Sequence, residues 1–289
     1  MNSSDFQVIF KRPAPPRRAG RALSVREKYL PTLISVGTVL IVILVIRSVV
    51  ISSSQWPRIK NQFFNLDVII EVFPKVLHGF GINMAVWIIA LVVIAVWALV
   101  LAIFRSLNGP WFAPLKVFSI VYIDLLRGLP SLLLVLLFGF GMPALQIPGL
   151  PKSSIFWGAL AMISSYSAYA AEVYRSGIES VHTGQQLAAK ALGLSQVQTL
   201  FYCILPQAVR NVFPSLLNLA VALQKDVALL SVLGVRDAVR EAQIYTARTF
   251  NYSSLIAAAA LFLVATIPLA RLTDYITKKD RERRLQGAS

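Results

Sequence analysis

At 289 residues, 56% of them hydrophobic and 14% charged, and with a mean hydropathy of +0.67, the chain is too poor in charge to cover a water-facing globule, which carries roughly 25% charged residues. The net charge of +15 does not point to nucleic acid, because the basic residues collect near the two ends and in short loops, the pattern that orients membrane proteins. A single cysteine, Cys203, and two distant histidines, His78 and His182, exclude an internal disulfide and give no support to a metal site or any other cofactor.

In chain order, residues 1–30 form a basic tail containing Lys11, Arg12, Arg17 and Arg18. The tail is too long and too basic for a cleaved signal peptide, so it reads as a disordered cytoplasmic segment ahead of a retained anchor at 31–51. Arg47 in that anchor snorkels to an interface. An extracytoplasmic loop follows at 52–75. A helix needs ~20 mostly apolar residues to cross the hydrocarbon, and further spans are predicted near 76–104, 113–142, 154–175, 208–233 and 253–276, with a second basic tail at 277–289. The chain is therefore all-α, a polytopic bundle of about six transmembrane helices. With the N-terminus inside, the Lys and Arg residues of the inner tails and loops outnumber about threefold those outside (Arg58, Lys60, Lys152, Arg236, Arg240 and Arg248), which places both termini in the cytoplasm.

Two spans carry charges. The third is interrupted by Asp124 and by Arg127-Gly128-Leu129-Pro130, where proline removes a helix hydrogen bond. The fifth carries Lys225-Asp226 and then Gly234, the pattern of a bent or broken helix. Backbone freed within a membrane is tolerated where it lines a path or is buried in protein. Glu172, Arg175 and Glu179 share one helix face and read as an ion network at the base of the next loop. Arg127 either pairs with Glu172 or meets a solute carboxylate. Lys225 and Asp226 either contact a solute or satisfy broken backbone. The sequence leaves both choices open, so Arg127, Glu172, Lys225 and Asp226 stand as solute-path candidates.

The stretch from Val181 to Pro206 has two capping-box patterns, Thr183 with Gln186 and Ser195 with Gln198. They predict two short helices, 184–192 and 196–204, with Gly193 at the first C-terminal turn and Pro206 beyond the second. Leu187, Ala191 and Leu194 form an apolar ridge beside small residues, suited to a groove on another protein.

Here the sequence resembles a family. Gly184-Gln185-Gln186-Leu187-Ala188-Ala189, then Gly193, then Leu205-Pro206-Gln207-Ala208, is similar to the loop by which permeases of binding-protein-dependent ABC importers meet their ATPase. The segment from Ser167 to Ile178, together with Arg127-Gly128-Leu129-Pro130 and Lys225-Asp226-Val227-Ala228-Leu229, resembles the polar amino-acid branch. The resemblance covers 76–276, with 183–206 as the coupling hairpin and 31–51 as an accessory helix. It implies a type I importer permease fold, in which Gly184, Gln185, Leu187, Ala188, Ala189, Gly193, Leu205 and Pro206 contact the ATPase. The sequence departs from the family at Leu187, usually glutamate, at Leu129 and Val227, usually threonine, at Ala228, usually serine, and at Cys203, usually a hydrophobic residue.

The implied function is the inner-membrane permease subunit of an ATP-driven importer for a polar amino acid, with another small solute class as the alternative. The implied partners are ABC ATPase subunits, a second permease protomer and an extracytoplasmic solute-binding protein, with no nucleic acid. No Gly-x-x-x-x-Gly-Lys-[Ser/Thr] occurs, so the chain is expected to be a transport subunit, not an enzyme. A secondary transporter would carry inverted repeats, and a membrane-embedded enzyme a catalytic constellation at one face. Neither pattern is visible.

Overall fold

The computed structural model describes residues 25–286, all of whose regular structure is helical. The tail at 1–24 lies outside the described residues. The chain divides into two units, one ending at Ile59 and one from Lys60 onward. In the first, α1 (Val25–Ile46) continues through a widened turn at Arg47–Ile51. Its apolar side chains from Leu33 to Ile46 are exposed on every side, as expected of a helix whose solvent is lipid. α2 (Trp56–Phe63) follows.

The second unit is organised by α3 (Leu66–Ser106), a helix of 41 residues and so ~62 Å long. The segment 52–75, expected as a loop, is thus largely helical. α3 buries a stripe at three- and four-residue spacing: Val72, Val76, Gly79 and Asn83, then Ala90, Ile94, Ala98 and Leu101. This spacing keeps one face turned inward along its whole length. The first half packs with Ala238, Ala242, Ala257 and Ala258, the second with the main core.

The expected third span is two helices, α4 (Ala113–Gly128) and α5 (Ser131–Leu136), bent by 103° at Leu129-Pro130. α5 runs on through a widened turn into α6 (Met142–Ala144). Pro130 is legible as the cause, since it has no N–H and cannot continue α4.

α7 (Ser154–Glu179) is the centre of the bundle, with buried residues all around it, including Gly158, Ala161, Ala168, Ala171, Tyr174 and Gly177. Small residues let α3, α4, α5 and α10 (Leu205–Asp226) come close. A Cβ on Gly177 would overlap the carbonyl oxygen of Ala208 at 2.8 Å and the side chain of Val212.

Helical structure runs unbroken from Gln196 to Leu233. It comprises α9 (Gln196–Gln198), a widened turn at Thr199–Ile204, α10 and a tighter stretch at Val227–Leu233 that ends at Gly234, φ +80°. α11 (Ala238–Thr249) and α12 (Ser253–Gln286) complete the unit. α12 extends ten residues into the expected basic tail.

Four described helical segments are long and apolar enough to cross a membrane, five if the bent pair counts as one span. α7 has the length, 26 residues, and falls short only in apolar composition because its neighbours are helices in place of lipid.

One polar anchor fixes the end of the unit away from the 183–206 hairpin. Asn83, fully buried, donates to Val227 O (3.3 Å) and Asp237 Oδ2 (3.0 Å) and accepts from Ala238 N (3.2 Å). Asp237 Oδ1 in turn accepts from Arg240 N at 2.8 Å and caps α11. Burial pushes the Asp237 carboxyl above the ordinary range, opposed by these hydrogen bonds. One turn before Asn83, Gly79 lies so close to Asp237 that a Cβ would come 2.6 Å from its carbonyl oxygen.

Candidate functional site

The first candidate is the hairpin between α7 and α10. Its opening helix, α8 (Thr183–Ala191), is capped by His182, whose Nδ1 accepts from Gly184 N at 3.2 Å. The expected Thr183–Gln186 capping box does not form, because Thr183 is already the first helical residue. The Ser195–Gln198 box forms in both directions: Ser195 Oγ accepts from Gln198 N (3.3 Å) and Gln198 Oε1 from Ser195 N (2.9 Å). Gly193 takes φ +81° with open space around it, so it is required for its left-handed backbone and not for close approach.

The second hairpin helix does not end before Pro206. Pro206 sits in the first turn of α10, directly after the widened turn at Thr199–Ile204, where a missing N–H is tolerated more readily than in a regular helix interior. Gln207 donates to Gln185 Oε1, tying the two arms together, and also to Cys203 O one turn earlier in its own arm at 3.0 Å.

The exposed face differs from the expected ridge. Leu187 is 66% exposed, Leu192 83% and Tyr202 74%, while Leu194 is half-buried and Ala189 is buried. Ala188 and Pro206 are exposed, and Leu205 packs on the core. Leu192 and Tyr202 were not anticipated, because their exposure depends on how the hairpin folds back on itself.

The second candidate is a polar seam along α7. Glu172, with its side chain 16% exposed, pairs with Arg105 of α3, with Arg127 of α4 (3.8 Å) and with Arg175 (2.9 Å), and Arg175 also pairs with Glu179. The expected face of Glu172, Arg175 and Glu179 is therefore a network, and Arg127 joins it. Arg105, which the sequence did not single out, is a direct partner.

Arg127 also lies 5.6 Å from the centre of the Tyr169 ring, within cation–π range, and the Tyr169 hydroxyl approaches Arg127 O at 3.4 Å. One turn earlier, Tyr166 donates to Asp226 Oδ2 at 2.6 Å. Arg127, Tyr169, Tyr166 and Asp226 thus form a chain of contacts from the break after α4 to the end of α10. Lys225 is exposed and joins none of them. Tyr166 and Tyr169 were missed, although their three-residue spacing upstream of Glu172 places all three near one face of α7.

Residues 110–282 match the family model described as binding-protein-dependent transport system inner membrane component. The chain is 33% identical over 217 residues to a Rickettsia conorii protein named as a glutamine transport system permease, GlnP, covering 74% of this chain and 97% of that one. The arginine transport system permease protein ArtQ of Bacillus subtilis is 30% identical over 219 residues, with the same two shares covered. The crystal structure of an amino acid ABC transporter with histidines superposes with a TM-score of 0.65 at 28% identity, covering 73% of this chain and 97% of that chain.

Proposed function

The chain belongs to the family of binding-protein-dependent transport system inner membrane components, and from that premise we propose how it carries a polar amino acid across the membrane. It is a membrane-spanning permease subunit of an ATP-driven importer and leaves ATP hydrolysis to a separate ATPase. The amino-acid class is supported by the names of the relatives, glutamine and arginine permeases among them.

The observation that carries the coupling reading is the hairpin face. Leu187, Leu192 and Tyr202 present apolar surface on a hairpin whose arms are joined by the Gln185–Gln207 bond. We assign that face to the groove of the ATPase, with Gly184, Gln185, Ala188, Gly193 and Pro206 shaping the hairpin and Ala189 and Leu205 seating it on the bundle. The hairpin end then faces the cytoplasm with both termini, and a solute-binding protein docks at the opposite end. A second permease protomer, the same chain or a homologue, completes the pathway.

On this reading the seam supplies the path. Arg127, backed by Tyr169, offers a cation to a solute carboxylate, and Asp226, held by Tyr166, offers a carboxylate to its ammonium. Glu172 binds the helices on either side into one body. Lys225 keeps the part of a path candidate at the exposed edge.

The test is reconstitution with the ATPase and binding protein that co-purify with the chain. ATP-dependent uptake of a polar amino acid is expected, and uptake of only sugars or metal ions would reject the substrate class.

A further inference from the structure

A cleft of about 710 Å³ opens at the hairpin end, bounded by the α3–α4 connection, the end of α7 and the inner side of the hairpin. Its lining is divided. Ile120, Ile178, Leu200 and Ile204 form an apolar wall, while Arg105, Lys116, Arg175 and Lys190 bring four cations against a single lining carboxylate, Glu179.

The two arginines are engaged with Glu172 and Glu179. Neither lysine ammonium has a carboxylate partner among the described residues: that of Lys116 donates to Asn108 Oδ1 at 2.9 Å, and that of Lys190 makes no hydrogen bond or ion pair. A second observation is independent of charge. Thr199 lines the same cleft, is 3% exposed, and its hydroxyl has no hydrogen-bond partner. A buried hydroxyl left unmet is unfavourable and rare in native folds.

We propose that this cleft binds a phosphate group, with Lys116 and Lys190 as its charge partners and the Thr199 hydroxyl as a donor. A phosphate offers several acceptor oxygens to converging donors, which a lone carboxylate matches poorly. Basic pockets between spanning helices on the cytoplasmic side bind anionic headgroups, and the apolar wall suits the glycerol end of such a lipid. The assignment of this end to the cytoplasm rests on the functional reading above, whereas binding itself does not.

The experiment uses the whole chain in uncharged detergent micelles. Native mass spectrometry counts bound phosphatidylglycerol against phosphatidylcholine, and thermal unfolding is followed with added inorganic phosphate. Phosphatidylglycerol is expected to bind in preference to phosphatidylcholine. The Lys116→Gln/Lys190→Gln variant should weaken that binding by roughly 25-fold, about fivefold for each charge. Thr199→Val, of similar shape, should weaken it further, and Lys60→Gln/Lys152→Gln should leave it unchanged.

Stabilisation by inorganic phosphate alone, lost in the same double variant, would identify the ligand as a free phosphate compound and uphold the site. Equal binding of the two lipids with no phosphate effect, or an unchanged affinity in the cleft variant, overturns the proposal. Capture of the ATPase by the same variants is measured in parallel, so a failure of coupling registers separately from a failure of anion binding.

Discussion

Glu172 is the residue on which most of the polar seam depends. One carboxylate faces three guanidiniums, from α3, α4 and α7 itself, so Glu172→Gln leaves Arg105 and Arg127 without this counter-charge while Arg175 keeps Glu179. The guanidiniums are partly hydrated, so the cost falls between that of an exposed and a buried pair, about 1–2 kcal/mol, read as a lower unfolding midpoint in detergent, and a midpoint equal to wild type would show that the network contributes nothing. Arg127→Gln and Asp226→Asn remove charges from the seam while each retains a polar group, so both should fold, keep the ATPase and lose uptake. Normal uptake at normal affinity in both variants would move the path elsewhere. Arg127, Glu172 and Asp226 were legible as candidates because charge is rare in apolar spans, whereas Arg105, at the end of its helix, was not. The tyrosines were not, because tyrosine is equally at home in a core or at an interface, and only the backbone geometry shows that Tyr166 and Tyr169 reach partners on other helices.

Among the helices, the crossing of α7 and α10 at the hairpin base is the tightest to test. Gly177→Leu would drive a side chain into Ala208 and Val212 and should cost about 2 kcal/mol, whereas Gly81→Ala, with nothing near its Cβ, should be neutral. Equal unfolding midpoints for the two variants would mean that the crossing is not close-packed. On the hairpin, Leu187→Asp places a charge on the docking face, and burying it without a partner is costly. Gly193→Asp forces an L-residue into a left-handed turn. Each should abolish capture of the ATPase and solute-stimulated ATP hydrolysis, and normal values for both would mean that the hairpin does not couple. Leu187→Glu restores the residue usual in the family, so retained coupling would reveal a cation in the partner groove and lost coupling an apolar one. The Ser195 box could be read directly, because a cap needs only local chemistry. Of the expected ridge, Leu187 and Ala191 are exposed while Leu194 is half-buried and the neighbouring Leu192 turns outward, a distinction set by the docking of the hairpin and not by its period.

At the scale of the whole molecule, the distribution of Lys and Arg predicts that the hairpin and both termini share the cytoplasmic side. In a Cys203→Ala background, an impermeant thiol reagent applied from outside should modify Ser153→Cys and spare Ser195→Cys. Labelling of the latter in sealed, correctly oriented vesicles would invert the topology. The order and approximate length of most spans were legible from apolar runs, since lipid demands them. The bend of 103° between α4 and α5 was legible only as a break: Pro130 announces an interruption, but its angle follows from packing on α7. The modest apolarity of α7 also bears on biosynthesis. A helix with Glu172, Arg175 and Glu179 near its end partitions weakly into a bilayer by itself. Arg105 and Arg127 are synthesised before Glu172, so the charges that neutralise it are already present in their helices when α7 leaves the ribosome. Insertion of α7 should therefore depend on its predecessors. Fused alone to a glycosylation reporter it should integrate poorly, with α3 and α4 ahead of it it should integrate well, and Arg105→Ala should undo much of the difference.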